Sequence, residues 1–348
     1  MSIFRPNIDE LAAYVPGEQP APGTRVIKLN TNENPYPPSP VAMQVLRDLD
    51  GEFLRRYPDP MASLACQAAA RVYGVPREWV LAGNGSDDLL TMILRACAEP
   101  GRSVAYPMPT YVLYRTLAQI QNARCIEVEF DDDYHLPVDE LAAARAAVTL
   151  VAAPNSPSGT VWPVEMLDDL AGRVAGMIVI DEAYVDFAEQ DALALVRTRP
   201  NVIVLRTLSK GYSMAGLRLG FGVAQPALLA GLIKVKDSYN VDAMACRAGA
   251  AAMDDQAHKR ANAAKVKASR ARLADDLAGL GFRVWPSQSN FLLARPPAGQ
   301  AEALYQALKA RGILVRYFKQ AKLEDKLRIT IGSDDQNDAL AAAIRELV

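Results

Sequence analysis

From about Val41 onward, apolar positions fall into two textures that alternate along the chain. One is the spacing of a half-buried helix, and the other is a short run of β-branched residues bounded by turn formers. Residues 61–74 (MASLACQAAARVYG) predict a helix stopped by Gly74, since glycine accepts the left-handed conformation at a helix end. WVLAG at 79–83 predicts a short strand. SDDLLTMILRACAE at 86–99 predicts a helix with Ser86 at its N-cap and acids in its first turn.

Five further strands are expected in RSVAYP, RCIEVEF, VTLVAAP, GMIVIDEAY and NVIVLRTLS, between residues 102 and 209. Most are continuously apolar, as strands covered on both faces of a mainly parallel sheet must be. Their alternation with helices predicts an α/β architecture. Near Ala250 the texture changes. An Ala-, Lys- and Arg-rich helix over 257–280 should end at Gly279 or Gly281. FRVWP, NFLLAR, a helix through Lys309, ILVRYF and KLRITIG then predict a smaller α+β domain. The first forty residues are rich in Pro, Asn and Gly and read as an extended arm. The expected division is an arm over 1–40, a large domain over 41–250 and a small domain over 251–348.

Composition narrows the function. Lys and Arg number 38 against 40 Asp and Glu, a balance that points to neither nucleic acid nor an anionic membrane. The four cysteines, Cys66, Cys97, Cys125 and Cys246, are far apart, so no metal site or disulfide framework is expected. His135 and His258 are isolated, and catalysis should run without a histidine base or zinc. The acidic, polar N-terminus is unlike a signal peptide, and no apolar run approaches a membrane span. A cytoplasmic setting is expected.

Five stretches carry candidate chemistry. In TLSKGYSMAGLRLGFG (207–222), Lys210 follows a strand and Arg218 stands eight residues on, flanked by Gly216 and Gly220. A desolvated lysine near another cation keeps enough free amine to form a Schiff base. Arg218 and Ser209 can grip a phosphate. In GMIVIDEAYVDF, Asp181 ends an apolar strand, where ligands bind in doubly wound sheets. A carboxylate there can keep a ring nitrogen protonated, and Tyr184 can bond a phenolate oxygen. In GNGSDDLL, glycines turn the chain into a helix whose N-terminus suits a phosphate. AAPNSPSGT holds Asn155 and Ser156 between prolines. YPMPTYVLY offers Tyr111 as a flat ring for stacking. Each residue has a plain structural alternative: a surface lysine, a turn-capping aspartate, an ordinary helix start, a core tyrosine.

In this order and at these separations, the five stretches resemble the fold-type I pyridoxal-phosphate (PLP) enzymes, aminotransferase classes I and II. LNTNENPYPPSP, RRYPDP, SQSNFLLAR and KLRITIGS extend the resemblance to nearly the whole chain, and within that group it is similar to the histidinol-phosphate aminotransferase family. The resemblance implies that Lys210 carries the cofactor. It implies phosphate contacts from Ser86, Asp87, Ser209 and Arg218, and from Tyr57 of a partner subunit. Asp181 and Tyr184 would meet the ring nitrogen and O3′, and Tyr111 would stack on the ring. Arg328 would hold the substrate carboxylate, with Arg316, Tyr14 and Asn32 as further substrate contacts.

One departure stands out. The family's O3′-binding asparagine directly precedes the second proline of the turn, where this chain has Ser156. Either Asn155 reaches the ring or Ser156 makes a weaker contact. The implied reaction is ping-pong transamination between glutamate and imidazole-acetol phosphate, with Lys210 as proton carrier, in a homodimer. An aromatic amino acid aminotransferase and a threonine-phosphate decarboxylase of the same fold are the alternatives. A non-catalytic PLP-binding regulator fits poorly, because no helix-turn-helix segment or basic surplus accompanies the core.

Overall fold

A computed structural model describes residues 2–12, 18–20, 23 and 25–348. Among them are strands β1 (Ile27–Lys28), β2 (Val80–Gly83), β3 (Ser103–Met108), β4 (Arg124–Glu129), β5 (Val148–Ala152), β6 (Met177–Asp181) and β7 (Val202–Thr207). They continue with β8 (Gly220–Val223), β9 (Arg283–Val284), β10 (Phe291–Arg295), β11 (Ile313–Leu314), β12 (Arg316–Tyr317) and β13 (Leu327–Thr330).

Seven strands form one sheet in the order β2-β8-β7-β6-β5-β3-β4. From β4 to β7 all neighbours are parallel. β8 enters antiparallel between β7 and β2. The apolar runs at β5, β6 and β7 are buried almost throughout, as strands covered on both faces must be. Alternate residues feed two separate cores. Val151, Ile178 and Val204 point into one, and Leu150, Val179 and Ile203 into the other. The fold is thus the α/β type expected of this pattern, with a mixed, mainly parallel sheet.

Two local details differ from the sequence reading. The helix Ser86–Cys97 is capped by Gly85, at φ 80°, and Ser86 is its first residue. The glycine supplies the positive φ that the turn requires, which leaves the serine hydroxyl free to face the site. Strand β8 lies in a glycine-flanked stretch with few side chains to mark a period. Gly220 is needed there, because a Cβ would come 2.5 Å from the Ser86 backbone nitrogen.

The C-terminal part builds a four-stranded antiparallel sheet, β12-β13-β10-β9. The helix Gln256–Gly279 packs on it through Val266, Leu273 and Leu277, and Gly281 follows at φ 84°. The preceding helix, Ala243–Asp254, spans position 250 and packs against the helices Pro40–Arg47 and Ser63–Tyr73. The chain passes from one core to the other at Asp255. That carboxylate caps the longer helix by accepting from the His258 backbone and also accepts from Ser39 Oγ at 2.6 Å. The Pro- and Asn-rich segment near the start is extended, yet β1 pairs with β11, and Leu29 is buried beside Leu292 and Ile329. Residues 27–34 therefore belong to the packing of the C-terminal sheet and run on to the cavity described next.

Candidate active site

The register of the large sheet brings its chemistry to one edge. Ala152 stands beside Asp181, Thr207 beside Gly220, and Gly220 beside Gly83. The C-terminal ends of β5, β6, β7 and β2 all open here, the place where ligands settle in sheets of this kind. A cavity of about 270 Å³ lies at this edge. Segments from the start of the chain and from the C-terminal sheet close it from the other side.

Lys210 sits in the loop after β7. Its amine donates to the Thr31 carbonyl at 3.5 Å and lies 5.5 Å from the centre of the Tyr184 ring. The Lys210 carbonyl accepts from Asn34 Nδ2 at 3.0 Å, which ties the loop to the N-terminal segment. At the next residue a Cβ would collide with the Asp186 side chain, so only glycine fits at 211. Asp186 is itself held by Lys259 at 2.7 Å. The lysine thus projects from a wedged loop.

Asp181 and Glu182 are successive acids whose side chains leave opposite faces of the sheet end. Glu182 is paired with Arg206 at 2.6 Å. Burial pushes Glu182 up to about 7 even so, against the pull of that guanidinium. Asp181, only 5% exposed, faces the cavity with no cation beside it among the described residues. It accepts from Tyr114 Oη at 2.8 Å and from the Ala183 backbone at 3.2 Å. Burial pushes its pKa up to about 6, the Tyr114 hydroxyl opposes the rise, and the charge of Asp87 adds to it.

Opposite stands the N-terminus of the helix Ser86–Cys97. Its first backbone N–H groups have no partner within the helix, and its dipole favours an anion. Arg218 reaches Asp87 Oδ2 at 3.3 Å and Ser209 Oγ at 3.5 Å. A Cβ on Gly85 would overlap the Arg218 guanidinium, so the glycine permits that approach. Ser209 is buried and accepts from Thr207 Oγ1 at 2.9 Å. Together these groups form an anion cradle at one end of the cavity.

Tyr111 lines the wall, with its hydroxyl on Asp87 Oδ1 at 3.1 Å and its ring edge-on to Tyr114 at 5.6 Å. Tyr184 lines the opposite wall, and its oxygen accepts from Asn32 Nδ2 at 3.0 Å. Asn32 is buried, and its Oδ1 accepts from Thr330 Oγ1 at 3.0 Å. This residue, expected to contact substrate, is thereby fastened between Tyr184 and β13. Arg328 on β13 donates to Ser156 Oγ at 3.1 Å and to the Asn30 carbonyl at 3.0 Å. Arg316 on β12 also faces the cavity.

The sequence left open whether Asn155 or Ser156 faces the site. The structure turns Asn155 inward. Asn155 is fully buried, accepts from Thr110 Oγ1 at 2.7 Å, and donates to Ser158 Oγ at 2.9 Å and to the Pro109 carbonyl. Its side chain is consumed in holding the turn, and Ser156 lines the cavity in its place. Tyr57 lies outside its own chain's cavity. It is 83% exposed and stacked on Tyr239 at 4.6 Å. Tyr14 lies outside the described residues.

Six contributors escaped the sequence reading. Tyr114 lies in the first turn of the helix Leu113–Ile120, three residues past Tyr111, which precedes that helix. Asn34 and the Thr31 carbonyl come from the far end of the chain, and no local pattern marks them. Phe318, Gln320 and Leu323 line the cavity from the loop after β12.

Residues 24–344 match the family described as aminotransferase class I and II. The chain is 60% identical over 347 residues to histidinol-phosphate aminotransferase 1 of Trichormus variabilis, covering 100% of this chain and 99% of the other. It is 44% identical over 347 residues to histidinol-phosphate aminotransferase of Citrifermentans bemidjiense, again over 100% and 99%. The crystal structure of histidinol-phosphate aminotransferase from Sinorhizobium meliloti in complex with pyridoxal-5'-phosphate has a TM-score of 0.91 to this fold. Its identity is 29%, over 100% of this chain and 99% of that one. A lysine on a wedged loop, an unpaired buried acid and an anion cradle share one sheet edge, and with these likenesses they place the chain in the aminotransferase class I and II family.

Proposed function

We propose that this chain is a pyridoxal-phosphate enzyme that moves an amino group from glutamate to imidazole-acetol phosphate, giving 2-oxoglutarate and histidinol phosphate, in histidine biosynthesis, and works as a homodimer. One observation carries the cofactor reading. Asp181 is a buried carboxylate that lacks a cation, and it faces the same cavity as a lysine amine and an anion cradle. A pyridine ring with an aldehyde and a phosphate would satisfy all three. Bound there, pyridoxal phosphate supplies an electron sink that lets the α-proton of an amino acid leave.

The chain's own groups do the rest. Lys210 Nζ would hold the cofactor, and the same amine, when free, would serve as the base that takes the proton from the substrate Cα. No histidine is needed. Asp181 holds the proton on the ring nitrogen. Tyr184, oriented by Asn32, would meet the ring oxygen. The backbone of Ser86 and Asp87, with Ser209 and Arg218, binds the phosphate, and Tyr111 covers the ring. Arg328, fixed by Ser156 and Asn30, takes the α-carboxylate of glutamate as a two-pronged pair. Histidinol phosphate has no carboxylate, and Arg316, the second guanidinium facing the cavity, takes its phosphate.

The substrate experiment is direct. Protein loaded with pyridoxal phosphate is given histidinol phosphate and 2-oxoglutarate, and glutamate should accumulate. Release of carbon dioxide from threonine phosphate without glutamate would assign a decarboxylase. Preference for aromatic amino acids over histidinol phosphate would assign an aromatic aminotransferase. Arg328→Gln should raise KM for glutamate roughly tenfold to a hundredfold, the range for losing a charge-assisted pair.

The homodimer is supported by an exposed apolar patch. Leu54, Tyr57, Tyr239 and Met244 are all more than 40% exposed and lie close together. Tyr57 would reach the partner's phosphate cradle from this patch. Two impaired forms, Tyr57→Phe and Lys210→Ala, should therefore complement each other when dissociated and reassembled together, because each mixed dimer holds one site free of both changes. A mixture no more active than the sum of its parts excludes the shared site. The four cysteines, all unpaired, suit a reducing cytoplasm. Among the described residues no helix is long and apolar enough to cross a membrane.

A further inference from the structure

We infer that Phe318 is the positioning residue that keeps the two substrate arginines apart as separate anion subsites, and that it sets the preference for a phosphate-bearing substrate. The inference rests on the assignment of Arg328 to the carboxylate and Arg316 to the phosphate.

Strands β12 and β13 are antiparallel, and their register sets Arg316 directly opposite Arg328. Side chains so placed share a face, and like charges there repel. The arrangement weakens the sheet, and its compensation must come from what separates or neutralises the charges. Among the described residues no carboxylate pairs with Arg316. The two arginines have one ring as a common neighbour. Phe318 directly follows β12 and lines the cavity together with Arg316, while Tyr317 stacks on Tyr305 at 5.8 Å. The Arg316 guanidinium carbon is 5.3 Å from the Phe318 ring centre, and that of Arg328 is 5.5 Å from the same centre. Both cations thus share one aromatic surface, which attracts each of them.

The two arginines depend on that ring unequally. Arg328 lies 5.3 Å from the Phe291 ring as well, and donates to Ser156 Oγ and to the Asn30 carbonyl. Phe291 is in turn packed edge-on against Tyr184 at 5.0 Å, so the carboxylate arginine is locked to the cofactor wall. Among the described residues Arg316 has no hydrogen-bonded partner of this kind, and Phe318 is its one aromatic contact. Removing the ring should free Arg316 and leave Arg328 in place. The subsite that fails should be the one for phosphate.

The test separates the two half-reactions. In Phe318→Leu, KM for histidinol phosphate should rise roughly tenfold, the weight of a half-buried cation–ring contact. KM for glutamate should move less than about threefold, because Arg328 keeps its other anchors. Phe318→Tyr, which keeps the ring face, should restore the lower KM. Phe318→Met is the second ringless variant should the leucine form fail to fold. Parallel rises in both KM values, or no change in either, would overturn the inference. Arg316→Gln is measured alongside. If it leaves KM for histidinol phosphate untouched, the Arg316 assignment falls and takes the inference with it. If it raises that KM while the ringless variants do not, Phe318 alone is refuted.

Discussion

Lys210→Ala should abolish transamination, by about 10⁴-fold or more, and should remove the near-visible absorbance band that the lysine-linked cofactor gives. Two roles disappear at once. The amine that holds the cofactor is lost, and so is the base that moves the proton, a role worth on the order of 10²–10⁴-fold by itself. No neighbour can substitute. The loop is wedged by Gly211 against Asp186, the two histidines lie elsewhere, and the nearest acids face other partners. The fold should survive, since the Lys210 amine contributes only a long hydrogen bond, 3.5 Å, to the Thr31 carbonyl. The spectrum after adding pyridoxal phosphate, and borohydride reduction followed by mapping of the modified lysine, check this directly. A retained band with an adduct at another position would dismiss Lys210.

Asp181→Asn should have two opposite effects. Activity should fall on the order of 10³-fold, the scale for removing one preorganised charge contact from a site that excludes water. The cofactor-free protein should become more stable at neutral pH. The sign follows from the direction of the pKa. Burial lifts the Asp181 carboxyl from 3.8 to about 6, so the folded protein holds that proton more tightly than the unfolded chain. Below pH 3.8 both states are protonated, and burial of the carboxyl makes no difference. As pH rises through that window, the folded state must ionise an acid with no cation beside it. Above pH 6 the penalty is complete, roughly 3 kcal/mol for a fully buried group. The asparagine form escapes it. Its advantage in thermal or urea unfolding, measured without cofactor, should grow between pH 4 and 6 and stay level above. Pyridoxal phosphate should shrink the gap by supplying the missing cation to the parent. An advantage already present at pH 4, or none at pH 8, would mean that Asp181 is satisfied by some other group.

Much of the site could be read directly from the sequence, because catalytic chemistry restricts residue choice locally. Lys210, Asp181, Arg218 and the Gly85–Ser86 helix start each sit next to a strand end or a glycine turn. Those neighbours have recognisable patterns, and the strands β5, β6 and β7 are continuous apolar runs. Asn155 shows the limit. The turn's composition offers Asn155 and Ser156 alike, and composition does not tell which side chain a tight turn aims outward. Thr110, Ser158 and the Pro109 carbonyl claim Asn155, and Ser156 is left facing the cavity. The helix Asp334–Arg345 is a different kind of omission. Its capping box, Ser333 with Gln336, was legible and went unused.

By itself the sequence determined the α/β architecture, the order of the chemical motifs and the choice of Lys210 as candidate, because periodicity, glycine turns and strand ends are local properties of the chain. Only the tertiary structure decided which distant segments meet. The pairing of β1 with β11 brings Thr31, Asn32 and Asn34 to the lysine loop, and the register of β12 on β13 sets Arg316 against Arg328 around Phe318. Such contacts join residues far apart in the chain. Their energetics are settled by packing and register across the fold, and a local pattern cannot report them.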